Sequence, residues 1–322
     1  MFAHFIQQFL NKMSQYFDNK DTFLEPKVTQ YGRNMVMSNV QRVTKHKFVN
    51  IDTKFRDEYS YNTTANYTMS MPERITNVHS IMVCNAEIPI TYYNICANFG
   101  NNYFTLSDAA GASAVITIPD NNYTATTLIS AITGQVNALS TNLNKVKFLL
   151  SGNNITYDVS GTATSLITVH FDYDAKGNFD KYNFKSKIGW LMGFRNQSYT
   201  IASNTVSTPI RAERFVDLNG PRYLYLAVDE FSQKNPNSFI APQADFNMSK
   251  NILARVTLNN TVYPFGSILP ANNFNGYILA DKRNYDGTID IKKLQIQLVN
   301  DIGIPVDLNG YDFSFCLEIE YE

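Results

Sequence analysis

The chain has 322 residues, 27 Lys and Arg against 28 Asp and Glu, 44% hydrophobic residues and only 17% charged residues, where a soluble domain carries about 25%. A net charge of −1 supplies no surface-wide field for nucleic acid or an acidic membrane, so a general polyanion binder is excluded. The length suffices for a large core without disulfides or metals.

No run approaches the about 18 consecutive apolar residues of a membrane helix. Gln7, Gln8, Asn11 and Lys12 interrupt the start of the chain where a signal peptide is continuously apolar. An intracellular, non-spanning protein is expected. Cys84, Cys96 and Cys316 are odd in number and far apart, with no CxxC pair, and are expected as reduced, buried thiols.

In chain order, residues 2–17 place Phe2, Phe5, Ile6, Phe9, Met13, Tyr16 and Phe17 at steps of three and four, which predicts an amphipathic helix with an aromatic face. Such a helix docks on its own domain, on a partner subunit or on a membrane, although its polar face lacks the Lys/Arg stripe of the last case. From residue 18 to 47 the periodicity is lost, and Lys27, Arg33, Arg42, Lys45 and Lys47 accumulate with almost no acid. This predicts an extended arm, either a solvated linker or a strap across a neighbour.

After Phe48 the chain turns to short runs of Val, Ile, Thr, Tyr and Phe bounded by Asn, Gly, Asp and Pro clusters, which predicts about ten strands in a sandwich or barrel. Expected strands are Ile75 to Ile88, Tyr103 to Leu106, Val115 to Ile118, Val146 to Leu150, Ile155 to Val159, Leu166 to Phe171, Tyr223 to Val228 and Ile252 to Leu258. In the C-terminal strand Phe313, Phe315, Leu317, Ile319 and Tyr321 alternate with an acidic outer face. Its expected partner is Ile289 to Val299, whose change of phase calls for a β-bulge at Lys292-Lys293. The one body helix follows residues 119–123, capped by Thr124 or Thr126, with Leu128, Ile129, Ile132, Val136 and Leu139 as its apolar stripe. One pentapeptide occurs twice, Val216-Asp217-Leu218-Asn219-Gly220 and Val306-Asp307-Leu308-Asn309-Gly310. It reads as one tight turn used twice.

Residues with catalytic or metal-binding potential do not assemble into a constellation. His4, His46, His79 and His170 are isolated, and no GxGxxG, Walker GxxxxGK[ST] or GxSxG occurs. Asp172-Tyr173-Asp174-Ala175-Lys176-Gly177 begins like a calcium loop, but Lys176 stands where an oxygen ligand is needed and Asn183 stands at the twelfth position, so a hairpin turn is expected. Asp52, Arg56 and Asp57 read as a salt-bridged turn. Gly189-Trp190-Leu191-Met192-Gly193-Phe194-Arg195, with the only tryptophan, reads as an aromatic plug in a core or interface.

Several segments occur in a telling order. They are residues 50–57, Met71-Pro72-Glu73-Arg74-Ile75-Thr76-Asn77-Val78, Glu87-Ile88-Pro89, residues 118–124, Gly189 to Phe194, residues 222–226, Asp290-Ile291-Lys292-Lys293-Leu294 and residues 309–315. In that order they resemble capsid proteins of nucleocytoplasmic large DNA viruses, over about residues 48–322. The resemblance implies an all-β fold, an antiparallel jelly-roll sandwich, with one body helix and a β-rich insertion at about 100–205; the N-terminal helical arm over 1–47 lies outside it and is expected from the pattern and charge of those residues. The resemblance implies a structural capsid protein and not an enzyme: the penton forming pentamers at fivefold vertices, or a minor capsid protein beneath or between major capsomers. A carbohydrate- or receptor-binding β-sandwich is the reading from another class.

The implied partners are further copies of the chain, major capsid protein capsomers, and minor capsid proteins reached through the arm, with inner-membrane contact open. No specific nucleic acid and no cofactor is implied. The implied location is the virion capsid, assembled in the host cytoplasm. Expected assembly contacts are Phe2, Phe5, Ile6, Phe9 and Met13 on the helix, then Lys45 and Lys47 on the arm, chosen for pattern and charge.

Overall fold

A computed structural model describes residues 43–322 apart from 58, 60–62, 141, 160–162, 164, 181–183, 202–207 and 233–250. Phe2, Phe5, Ile6, Phe9, Met13 and most of the expected arm therefore lie outside the described residues. His46–Tyr321 forms one compact unit.

The unit is mostly β, with fifteen strands among the described residues, and the pairings of β2 to β15 with one another are antiparallel. Its spine is β2 (Asn66–Pro89) beside β14 (Arg283–Val299). Around them run β1 (Lys45–Asp52), β10 (Tyr223–Asp229), β11 (Ile252–Thr257), β12 (Ile268–Asn272), β13 (Ile278–Ala280) and β15 (Ser314–Tyr321). The sheet order is β1-β15-β2-β14-β10-β11-β13, with β12 also on β2. The first strand begins at Lys45, inside the segment whose charge reads as arm.

Alternation builds the first core. Phe315, Leu317 and Ile319 of β15 stand opposite Ala86, Val83 and Ile81 of β2, and Leu294, Ile296 and Leu298 of β14 join them, all buried. One expectation needs correction: β15 does not pair with 289–299. The strand β2 lies between them and pairs with both. Both flanking segments alternate well, and alternation shows which face is buried without naming the neighbour. The expected bulge is present as a register shift between Ile291 and Lys293.

A second core is drawn from residues 95–212. It has one sheet in the order β4-β3-β7-β8 and another in the order β5-β6-β9. The first comprises β3 (Tyr103–Asp108), β4 (Ser113–Thr117), β7 (Ile167–His170) and β8 (Ser198–Ile201). The second comprises β5 (Val146–Ser151), β6 (Asn154–Val159) and β9 (Ile210–Arg211). Helix α1 (Ala125–Asn137) buries Leu128, Ile132 and Val136, and Thr124 caps it by accepting from the Thr127 amide at 3.3 Å. A single helical turn, α2 (Ile188–Leu191), closes the core.

Candidate assembly joints and exposed contact residues

The segments that suggested chemistry serve as joints between strands. The Asp52 carboxylate accepts from the Lys54 amide at 2.9 Å and starts a short 3-10 turn. Arg56 reaches 256 residues along the chain, and its Nη1 donates to Asp312 Oδ1 at 2.7 Å and to the Thr53 carbonyl at 2.8 Å. Thr53, fully buried, donates to Asp312 Oδ1 at 3.0 Å and accepts from the Phe313 amide at 2.9 Å. Residues 50–57 and 309–315 are thus two halves of one joint. A cavity of about 220 Å³ lies beside it, lined in part by Arg56, Thr63, Asn98, Asp307 and Gly310.

A second joint turns the spine. Asn77 adopts φ +55°, a left-handed conformation that asparagine tolerates. Its amide donates to Asp290 Oδ1 at 3.1 Å, while Arg74 Nη2 meets Asp290 Oδ2 at 2.6 Å. The segments 71–78 and 290–294 come together here, where β2 and β14 change register.

The repeated pentapeptide forms a third joint. In each copy the aspartate accepts from the amide two residues on, Asn219 at 3.3 Å and Asn309 at 2.9 Å. The last glycine has φ +74° in one copy and +78° in the other. Asn309 is also left-handed, whereas Asn219 is not among the positive-φ residues, so the two turns share the Asx bond but not every dihedral. Each copy then offers its leucine carbonyl to one short segment after β2: Thr91 Oγ1 donates to Leu308 at 2.7 Å and Asn94 Nδ2 to Leu218 at 2.6 Å. The repeat holds the crossing from the first core to the second from both sides. Asn94 also exchanges hydrogen bonds with Tyr123 at 2.8 Å in each direction, tying in the segment before α1.

The remaining clusters are structural too. Asp172 to Gly177 forms the expected hairpin, with Asp174 Oδ1 accepting from the amides of Lys176 and Asn178 at 2.8 Å. Lys187, 2% exposed, fastens it by donating to Asp180 Oδ2 and the Tyr173 carbonyl at 2.8 Å. At the tryptophan motif a Cβ on Gly189 would sit 2.3 Å from the Phe171 ring, and one on Gly193, at φ +97°, would sit 2.2 Å from the Arg214 carbonyl oxygen. Arg195 stacks on Trp190 at 3.9 Å. Phe171 and Phe194 stack behind it at 5.2 Å.

The histidines stand apart: His170 lies 2.8 Å from Ser107 Oγ and stacks on Tyr173, while His46 meets Glu318 at 2.7 Å. Of the thiols only Cys96 is buried; Cys84 and Cys316 are half-buried, a correction to the expectation for all three. Strand alternation explains it, since both occupy the outward phase. No group of three or more His, Cys, Asp or Glu side chains suited to a metal ion occurs among the described residues. No helix among them is long and apolar enough to cross a membrane.

Bulky apolar side chains are exposed at several places, Phe48, Phe55, Phe179 and Phe215 among them, and five of them fall on one stretch, residues 262–279. They are Val262, Phe265, Ile268, Phe274 and Leu279, and Phe274 is as accessible as in an extended chain, at 102%. Their scaffold is ordered. Ile268 is the outward neighbour of buried Leu269 on β12, and Leu279 the outward neighbour of buried Ile278 on β13. Between them Asn272 Oδ1 accepts from the amides of Phe274 and Asn275 at 2.9 Å, and Asn275 Oδ1 accepts from Asn272 at 3.0 Å and Tyr277 at 3.1 Å.

Sequence reasoning passed over these residues because they lack a period. The available signal was a phenylalanine inside an Asn-Asn-Phe-Asn-Gly turn. Of the expected contacts that fall within the described residues, Lys45 is exposed at the start of β1. Lys47 is engaged by Glu73 and lies 5.5 Å from the centre of the Tyr321 ring.

An antiparallel β unit held by long-range polar joints, with bulky apolar side chains in water, is the class that fold and surface define. Residues 39–263 match the model of a family described as a family of unknown function (DUF5901), and the chain belongs to that family. No curated protein sequence matches it. Among solved structures it is similar to the mavirus penton protein, with 7% identity, 86% of this chain and 100% of that chain covered, and a TM-score of 0.41. It is also similar to a chain in the cryo-EM structure of the Sputnik virophage, with 12% identity, 87% and 98% covered, and a TM-score of 0.37.

Proposed function

We propose that the chain is a structural protein of an icosahedral viral capsid, a jelly-roll subunit that forms pentamers at the fivefold vertices of a large DNA virus. The observation that carries this reading is how its conspicuous residues are used. Arg56, Asp312, Asp290, Asn94 and the two Asp-Leu-Asn-Gly turns, which a catalytic reading would recruit, are engaged in joints, while Phe274, Ile268 and Leu279 face water on ordered backbone. A protein whose work is contact needs that division: fixed geometry inside, and large rigid apolar groups outside at low entropy cost. The ordered segments that resemble capsid proteins support the same reading, and two pairs of them meet in space, residues 50–57 with 309–315 and 71–78 with 290–294. No catalytic role is assigned.

In this reading Phe2, Phe5, Ile6, Phe9 and Met13, with Lys45 and Lys47, contact neighbouring capsid proteins on the inner side of a shell assembled in the host cytoplasm. A ring of copies needs a heterologous interface, one surface of each subunit meeting a different surface of the next.

The test is to trace the chain in an icosahedral cryo-EM map of intact particles. Five copies around each fivefold axis are expected. Copies beneath or between capsomers would make it a minor capsid protein, and absence from the shell would overturn the reading.

A further inference from the structure

Two thiols share the outward face where β15 runs beside β2. The register sets Ala86 opposite Phe315, Asn85 opposite Cys316 and Val83 opposite Leu317, so Cys84 is the extra residue of a β-bulge. Ala86, Phe315, Val83 and Leu317 all point into the core. The residues between them point the other way, which sets both Cys84 and Asn85 against Cys316.

The surroundings agree with this placement. Cys84 Sγ donates to Glu318 Oε2 at 3.6 Å, and Glu318 stands two residues beyond Cys316 on the same face of β15. Cys316 is opposed to Asn85, and opposed Cα atoms of an antiparallel pair lie about 4.5–5.5 Å apart; Cys84 is the next residue, in the bulge, and close enough for Cys316 to act on its thiol, while a disulfide spans Cα separations of about 4.4–6.8 Å. Cys96, buried against the first core, is not part of this face.

We propose that Cys84 and Cys316 form an oxidisable pair, a modification site at which a small disulfide closes a covalent bond between the C-terminal strand and the spine. One thiolate attacks a sulfur of the oxidant, for which oxidised glutathione serves, giving a mixed disulfide and releasing one glutathione. The second thiolate attacks the protein sulfur of that mixed disulfide and releases the other glutathione. Two protons and two electrons leave Cys84 and Cys316, and the oxidant takes them up as two thiols. Burial, and then the neighbouring Glu318 carboxylate, push the Cys84 thiol up to about 11, and burial raises Cys316 as well. The thiolate fraction is therefore small at neutral pH, so exchange with an oxidant is slow there and quickens as the pH rises. Nothing in this site depends on the capsid reading, and either can fail without the other.

The test treats the folded full-length chain with excess oxidised glutathione at mildly alkaline pH, then alkylates the free thiols, digests and weighs the peptides. The expected result is a linked Cys84–Cys316 peptide, two hydrogens lighter than its parts, with Cys96 still alkylated. In Cys316→Ser the reaction stops with glutathione on Cys84. Wild-type chain in which Cys84 and Cys316 stay free, carry glutathione separately or link to Cys96 overturns the proposal.

Discussion

The two cores are held by different means. The first is drawn from strands of up to 24 residues, and its corner at Asn77 and its end at Thr53 are fastened by side chains that are far apart in sequence. The second has strands of at most six residues and stacks Phe171, Phe194, Phe148 and Phe104 around two glycines that admit no side chain. Many long pairings share a load, so the first core loses stability in increments as single joints are removed. Close packing around a backbone with no free space fails at one point.

The sharpest way to break that contrast is Gly193→Ala. The new methyl group would meet a backbone carbonyl that cannot swing aside, at a φ where a Cβ is already strained. A loss of about 4 kcal/mol or more is expected. Chemical denaturation checks it, and a loss below about 1 kcal/mol would show that the loop at Arg214 yields.

Next in size is a fully buried ion pair beside the first core. Arg283 and Glu230 are 1% and 0% exposed and meet at 2.8 Å. Arg283 also donates to the Val228 carbonyl at 2.8 Å and the Ile252 carbonyl at 3.3 Å, binding β14 to the ends of β10 and β11. Among the described residues no hydrogen bond reaches Glu230 Oε1 or Arg283 Nε within ordinary geometry, although the Tyr285 hydroxyl stands close enough to act on the Glu230 carboxylate. Burial pushes the Glu230 carboxyl above its usual range despite the arginine beside it.

Removing only the carboxylate, as in Glu230→Leu, strands a buried cation and should cost about 3–5 kcal/mol, whereas Glu230→Leu with Arg283→Met should recover most of that. A double-mutant cycle in urea checks it, and additive losses would contradict it. The same pair gives a pH dependence. With a raised folded pKa, the native state binds the Glu230 proton more readily than the unfolded chain, so this group's contribution to stability falls as pH rises from the ordinary carboxylate value through the raised one. In Glu230→Gln that fall should flatten, as denaturation midpoints across this range would show.

Smaller still is the joint at the chain's end. Asp312→Ala removes the acceptor of both Thr53 and Arg56 and should cost about 2 kcal/mol, since a half-buried arginine loses its carboxylate while keeping the Thr53 carbonyl. Arg56→Ala in the same background should then add little, because the shared interaction is already gone. A full additional loss would mean that Arg56 acts mainly through its stack on Tyr59, 3.7 Å away.

How legible these features are follows from their physics. The strands β3, β5, β6, β10, β11 and β15 were readable because each buries an alternating or continuous apolar run, and α1 because Leu128, Ile132 and Val136 recur at helical spacing under a threonine cap. The strands β1, β8, β9, β12 and β13 were not. Lys45, His46 and Lys47 make β1 read as a charged arm, β9 has two residues, and Pro270 interrupts β12, which tolerates it with β2 as its one partner. The joints were readable only as segments. That Arg56 meets Asp312, or that Asn94 meets the Leu218 carbonyl, is fixed by strand register, which no local pattern encodes.

The least consequence for folding, and the most for assembly, is expected at Phe274. Its ring touches no core, and the turn that presents it is held by the side chains of Asn272 and Asn275, which Phe274→Ser leaves in place. Stability should change by no more than about 0.5 kcal/mol. A ring this exposed on an ordered turn keeps most of its binding value unspent on folding, as the anchors at the centres of protein interfaces do. If the capsid reading holds, the same substitution should shift full-length protein in native mass spectra from higher oligomers toward monomer, while Leu149→Ser, at an exposed position on the second core, should not. Equal oligomer distributions for wild type and Phe274→Ser would take this residue out of the interface and leave the joints, which depend on no partner, as they stand.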